Sequence, residues 1–336
     1  MDLALITVAL VVVVALAFDY INGFHDTANA IATVVSTGVL PIRTAVLIAA
    51  VLNFGGAFLG TAVASTIGKG ILLPGDVTQV VVLSSLLGAI FWNLFTWYFG
   101  IPSSSSHALI GGLIGAGAAR SGASAIQKDG VIKVVKSLVI SPLIGFVIAF
   151  MVMIGIFWAI RNVRPSKLNS LFRRLQMLSA GLMALSHGSN DAQKTMGIIT
   201  MSLVAYGSVP GGSDKFAVPL WVVAACALAM ALGTAAGGVR IIKTMGTKII
   251  DLKPVHGFAA ETSAAVTILS ASAFGLPVST THVITGCIMG AGSSQRVSAV
   301  RWGVTTRILW AWLLTIPVSA AVSAGCYLGI RPLLGN

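Results

Sequence analysis

Residues 22–29 read Asn-Gly-Phe-His-Asp-Thr-Ala-Asn, and residues 187–194 read His-Gly-Ser-Asn-Asp-Ala-Gln-Lys. Laid over each other at an offset of 165, they place Gly23 on Gly188 and Asp26 on Asp191. A second pair, Pro102-Ser103-Ser104-Ser105-Ser106-His107 and Pro277-Val278-Ser279-Thr280-Thr281-His282, recurs at an offset of 175, and a Gly-Ala-Gly follows each, at 115–117 and 290–292. Two polar motifs in the same order and almost equally displaced are hard to attribute to chance in so apolar a chain. The sequence reads as a tandem duplication of about 160 residues.

Around these motifs the composition excludes water as the solvent. Of 336 residues 56% are hydrophobic and 9% charged, against about 25% charged in soluble domains. A hydrocarbon core of roughly 30 Å needs about 20 apolar residues of helix; six such runs recur along the chain, with two pairs of shorter ones. The runs are rich in glycine, as closely packed transmembrane helices are, and none alternates like a barrel strand. The expectation is an all-α polytopic membrane protein. The excess of 21 Lys and Arg over 9 Asp and Glu follows from cytoplasmic loops and does not call for nucleic acid. Cys226, Cys287 and Cys326 have no metal-type spacing and read as packing residues. The first run starts directly after Met1-Asp2 with no basic segment before it, so it reads as part of the mature fold rather than as a signal peptide.

The duplication divides the chain into a first transmembrane repeat, 1–160, a basic cytoplasmic linker, 161–174, and a second repeat, 175–336. Each repeat reads as three spanning helices and one helical hairpin: 3–37, 44–67, hairpin 84–120 and 137–160, then 175–206, 217–239, hairpin 258–295 and 303–330. The hairpin arms, about 15 residues each, are too short to cross and read as re-entrant. Three crossings per repeat invert the second repeat relative to the first and place both termini outside the cytoplasm. Thirteen basic residues then fall on cytoplasmic loops, including Arg43, Arg161, Arg164, Lys167, Arg173 and Arg174, against seven outside. The 120–136 segment, with Arg120, Lys128, Lys133 and Lys136, lies outside against that rule, as a solvated face or as a basic vestibule.

Each Pro-Ser/Thr tip sets hydroxyl residues at the start of a new helix, where free backbone N–H groups and the positive dipole end favour an anion. Two tips meeting at the midplane can surround a tetrahedral oxyanion with Ser103, Ser104, Ser105, Ser106, Ser279, Thr280 and Thr281; the bland alternative is that these residues only cap and pack. Asp19, Asp26, Asp191 and Glu261 lie in apolar stretches, where a carboxylate is costly unless paired, protonated or hydrated, and are functional candidates by default; for Asp19 a place near an interface is the alternative. Four of the five histidines, His25, His107, His187 and His282, fall in the repeated motifs, where imidazole can relay protons or hold the hairpins. Lys194, an ammonium in an apolar helix, needs an anion beside it, from Asp191, Glu261 or the substrate. The matching residue in the first half is the neutral Asn29. Among the described motifs there is no Gly-x-Ser-x-Gly elbow and no Walker-type loop, so an enzyme is not expected.

These motifs, taken together, resemble those of the inorganic phosphate transporter family, and the resemblance covers both halves, nearest to the bacterial low-affinity branch. It implies a secondary active transporter in the cell inner membrane that imports phosphate, free or as a neutral metal phosphate, by proton symport with alternating access. It further implies that the tips hold substrate, with Asn22 and Lys194, and that Asp26, Asn29, Asn190, Asp191, Glu261 and His25 serve cation or proton coupling. The sodium-coupled pattern has Gly-x-Asn-Asp-x-x-Asn in both halves, whereas here His25 precedes Asp26 and Lys194 replaces the final Asn. Each change removes a neutral oxygen donor that sodium prefers, so protons are expected in preference to sodium. A sodium-coupled phosphate symporter and a sulfate permease on the same scaffold stay open as alternatives. The expected partners are phosphate, protons, a divalent metal if it travels with phosphate, membrane lipid and, compatibly, further copies of the chain as a homo-oligomer; nucleic acid and cofactors are not expected.

Overall fold

A computed structural model describes residues 3–210 and 216–334. Among them the chain forms twelve α-helices and no strand: α1 Leu3–Ser36, α2 Ile42–Gly56, α3 Ala62–Gly70, α4 Gln79–Tyr98, α5 Ser105–Ser121, α6 Lys128–Ile160, α7 Pro165–Tyr206, α8 Leu220–Ala236, α9 Val239–Thr247, α10 Pro254–Ala273, α11 Thr280–Ser293 and α12 Trp302–Leu334. Helices α7–α12 follow the same order of long and short helices as α1–α6.

The halves interlock. Gly111 and Gly115 of α5 lie against the backbone of Ile316 and Ala320 of α12, while Gly286 and Gly290 of α11 lie against Pro142 and Phe146 of α6. Each pair is a small-x-x-x-small contact that lets two helix backbones touch. The motif glycines do the same. A Cβ on Gly23 of α1 would stand 2.4 Å from the carbonyl oxygen of Met230 in α8, and one on Gly188 of α7 would stand 2.2 Å from that of Asn53 in α2. Equivalent helices of the two halves thus make equivalent close contacts, α5 on α12 and α11 on α6.

Among the described residues four helices, α1, α4, α6 and α12, are long and apolar enough to cross a membrane, and the pair α8 and α9, bent by 72°, would make a fifth. This differs from the expected six. The runs 44–67 and 217–239 are each broken, the first after Gly55-Gly56, the second at Gly237-Gly238, where Gly237 takes φ +73°. Glycine pairs interrupt a helix although the hydropathy runs on. Helix α7 has 42 residues but is polar along its middle, and those residues are buried against protein rather than lipid.

The hairpins are Gln79–Ser121 and Pro254–Ser293. Their first arms have 20 residues each, longer than expected, so length alone does not mark them as re-entrant. The basic linker is also shorter than expected: Pro165, a residue suited to the first helical position, starts α7, leaving 161–164 outside helices. Likewise α6 begins at Lys128, which puts Lys128, Lys133 and Lys136 on its first turns instead of in a loop. The expected placement of the termini falls on Met1 and Asn336, and the side chain of Lys167 likewise lies outside the described residues.

Candidate functional site

The two tips are built alike. Two residues past the end of α4 stands Gly100, and two past the end of α10 stands Gly275, both with φ +64°. Four residues beyond each glycine, Ser104 accepts a hydrogen bond from the His107 N–H, and Ser279 accepts one from the His282 N–H. These two hydroxyls are thereby used as helix caps, so at Ser104 and Ser279 the bland reading describes the side chains. The next two positions point elsewhere.

Ser105 Oγ donates to Asp26 Oδ2 over 3.3 Å, and Thr280 Oγ1 donates to Asp191 Oδ2 over 3.0 Å. Each tip therefore rests on the Asp of its own half. The last motif residue crosses to the opposite tip: Asn29 Nδ2 donates to Thr281 Oγ1 at 2.9 Å and to Thr280 Oγ1 at 3.2 Å, while Lys194 Nζ donates to Ser106 Oγ at 2.5 Å. Lys194 also donates to the carbonyl of Val278 at 3.0 Å and forms a short ion pair with Asp191 Oδ1. Ser106 Oγ itself donates to the Val278 carbonyl at 3.1 Å. The tips thus meet, and one ammonium bridges them.

Around this junction, His25 Nδ1 lies 2.5 Å from Asp26 Oδ1, and its Nε2 is 3.0 Å from Thr96 Oγ1 and 3.5 Å from Ser103 Oγ. His187 Nε2 lies 3.2 Å from Asp191 Oδ2, and Nδ1 3.1 Å from Asn53 Oδ1. Asn190 donates to Ser272 Oγ at 2.8 Å. The side-chain oxygens of Asn22 and Asn29 have no partner among the described residues. His107 and His282 pack ring on ring, centroids 4.5 Å apart, with Trp312 stacked on His282 at 3.7 Å. One atom each of Asp26, His187 and Asp191 lies within 4.8 Å of the others, a spacing at which a cation can be held.

Glu261 stands apart. Thr33 donates to its Oε1 at 2.5 Å and Gln176 at 3.1 Å, and Ser179 makes a short bond to Oε2. Lys194 belongs to the tips and not to this carboxyl, which sits among neutral donors only. Asp19 is fully buried within the protein.

Repeat and motif did not single out Thr33, Thr96, Gln176 and Ser179. The signal for the first lies in α1, where Asp19, Asn22, Asp26, Asn29 and Thr33 recur at helical spacing on one buried face. For Gln176 and Ser179 the same spacing leads along α7 to His187, Asn190, Asp191 and Lys194.

Comparison with known proteins decides the family. The model described as "Phosphate transporter family" matches residues 22–168 and 160–323. The chain belongs to the phosphate transporter family. It is 52% identical over 317 residues to the "Probable low-affinity inorganic phosphate transporter" of Rhizobium meliloti (strain 1021), covering 94% of each chain. It is 49% identical over 329 residues to the protein of the same description from Bacillus subtilis (strain 168), covering 97% of this chain and 98% of that one. Among solved structures it resembles "The sodium-dependent phosphate transporter" with a TM-score of 0.88 and 27% identity, over 97% of this chain and 99% of the other. Membership makes the protein a multi-pass membrane transporter and not an enzyme.

Proposed function

We propose that this family member imports inorganic phosphate together with protons, by alternating access at the junction of the two tips in a cell inner membrane. The observation that carries the reading is Lys194, buried and bonded at once to Ser106 of one tip, to the Val278 carbonyl of the other and to Asp191. An ammonium that holds two anion-binding helix starts together is placed to exchange one of these partners for a substrate oxygen. Ser105, Ser106, Thr280 and Thr281 supply hydroxyls, and the α5 and α11 N-termini supply backbone N–H groups. The inverted orientation of the second repeat belongs to this reading, since reciprocal packing of equivalent helices lets one rigid repeat rock against the other.

Protons are favoured over sodium because each motif carboxyl already faces nitrogen: Asp26 meets His25, and Asp191 meets Lys194 and His187. Sodium prefers oxygen at those places. Phosphate travelling as a metal complex would find Asp26, His187 and Asp191 close enough to receive the metal as cargo. The sodium-coupled reading draws on the solved relative, described as sodium-dependent. Proteoliposomes separate the two. Phosphate accumulation is expected to follow an imposed pH gradient with sodium absent; accumulation that follows a sodium gradient and ignores pH overturns the proton assignment.

A further inference from the structure

Asp19 takes no part in the constellation at the tips, yet it is 0% exposed. It lies two turns before Asp26 on the same face of α1. Neither carboxyl oxygen makes a hydrogen bond of ordinary geometry among the described residues. Thr195 of α7 and Cys226 of α8 face it without closing one, and Asp191 and Lys194 act on it from α7. Thr195 Oγ1 is itself without a partner, and Cys226 is a free, buried thiol. Helix α4, also packed on α1, has Tyr98 at its last residue as its one titratable side chain.

An ionised carboxylate so placed would be a bare charge in the protein interior, which costs several kcal/mol unless something neutralises it. Two ligands can do so, a cation or a proton. A hard cation wants a shell of about six oxygens, whereas the groups that bear on Asp19 from α7 and α8 include a soft thiol and an ammonium. A proton needs one oxygen. We propose that Asp19 is a proton-binding site of the transport cycle, and that losing its proton draws Lys194 away from the two tips. When the O–H bond breaks, the proton passes to water on the side to which the site is then open, and the electron pair stays as a carboxylate. That charge competes with Asp191 for Lys194 and weakens the bridge from Lys194 to Ser106 and Val278. With Asp19 protonated, Lys194 stays on Asp191 and the tips stay joined. The buried polar face of α1 runs from Asp19 through Asn22, Asp26 and Asn29 to Thr33, which donates to Glu261, so one helix spans about 21 Å between this carboxyl and that one.

The inference rests on proton coupling, and its test separates the two. In the full chain reconstituted in liposomes, Asp19→Asn is expected to lower pH-driven phosphate accumulation at least about tenfold while leaving phosphate exchange at equal concentrations within about twofold, because coupling and binding are separate free energies. Asp19→Glu, which keeps the ionisable group, is expected to retain coupling and shows that the position tolerates change if the Asn variant folds poorly. Infrared difference spectra on adding phosphate should show a carboxylic-acid carbonyl band lost in Asp19→Asn. Unchanged pH-driven accumulation by Asp19→Asn, or persistence of that band, overturns the proposal. Wild-type protein that follows sodium alone removes the coupling reading, whereas the infrared band, read without any gradient, tests Asp19 by itself.

Discussion

In the first half Ser105 leans on Asp26 while Asn29 crosses to Thr281; in the second Thr280 leans on Asp191 while Lys194 crosses to Ser106. The scaffold of bonds is the same in both halves, and the charge is not. Asn29 brings a neutral amide and Asp26 has an imidazole for company, whereas Asp191 is paired with an ammonium. A symmetric frame can rock between two arrangements, and an ammonium within it adds a fixed positive charge that an anion can meet. The difference at 29 and 194 puts that charge on one half only.

Making the halves alike at this point should therefore have the largest effect. Lys194→Asn gives the second motif the residue of the first and leaves Asp191 buried without its ammonium, which is expected to cost about 3–5 kcal/mol and to reduce uptake at least about a hundredfold, the size of two lost charge-assisted bonds. Asp191→Asn should behave similarly. The double variant Asp191→Asn/Lys194→Asn, with neither charge left unpaired, is expected to regain thermal stability and not uptake. Fluorescence-detected melting and proteoliposome uptake read the two separately; near-normal uptake by any of the three would mean the charge difference is not functional.

Next in size come Gly23→Leu and Gly188→Leu, which probe the part of the comparison that is symmetric. Even a Cβ would clash at 2.4 Å in one case and 2.2 Å in the other, and those neighbours are backbone, so each variant should lose several kcal/mol of stability and much of its folded yield on size-exclusion chromatography. Equal losses support the two-fold relation. A clear inequality would restrict it to the tips.

The parts of the molecule legible in advance are those the duplication writes twice. Asp26 and Asp191, the two tips and the crossing pair Asn29 and Lys194 all come from laying the halves together, because a two-fold site forces matching residues to matching positions. The Glu261 cage is different. Thr33, Gln176 and Ser179 come from α1 and α7 and have no equivalents at the offset of 165, where Ile198, Val11 and Val14 stand, so only tertiary packing brings them together. The breaks in α2–α3 and α8–α9 escaped for another reason: hydropathy stays high through Gly55-Gly56 and Gly237-Gly238, and backbone freedom at glycine decided against it.

His25→Asn sharpens the comparison more gently, by giving the first motif the Asn before Asp that marks the sodium-coupled pattern. The variant keeps a donor beside Asp26 and removes the imidazole, so proteoliposome uptake is expected to drop about tenfold, the size of one weakened hydrogen bond to a charged group. Unchanged uptake would show that the contact of His25 with Asp26 has no part in transport.

The smallest effects are expected where the halves do not differ at all. Ser104 and Ser279 accept from the N–H three residues on, at 3.1 Å and 3.2 Å, and replacing such a cap by Ala removes about 1 kcal/mol. Ser104→Ala and Ser279→Ala should therefore lower stability by the same amount, with uptake changed only about twofold, provided their hydroxyls serve the helices and not the substrate. Melting curves and uptake measured side by side decide this. A loss of uptake tenfold greater in one variant than in the other would show that a capping hydroxyl is released to phosphate during transport, and would carry the inequality of the halves from the charges into the tips themselves.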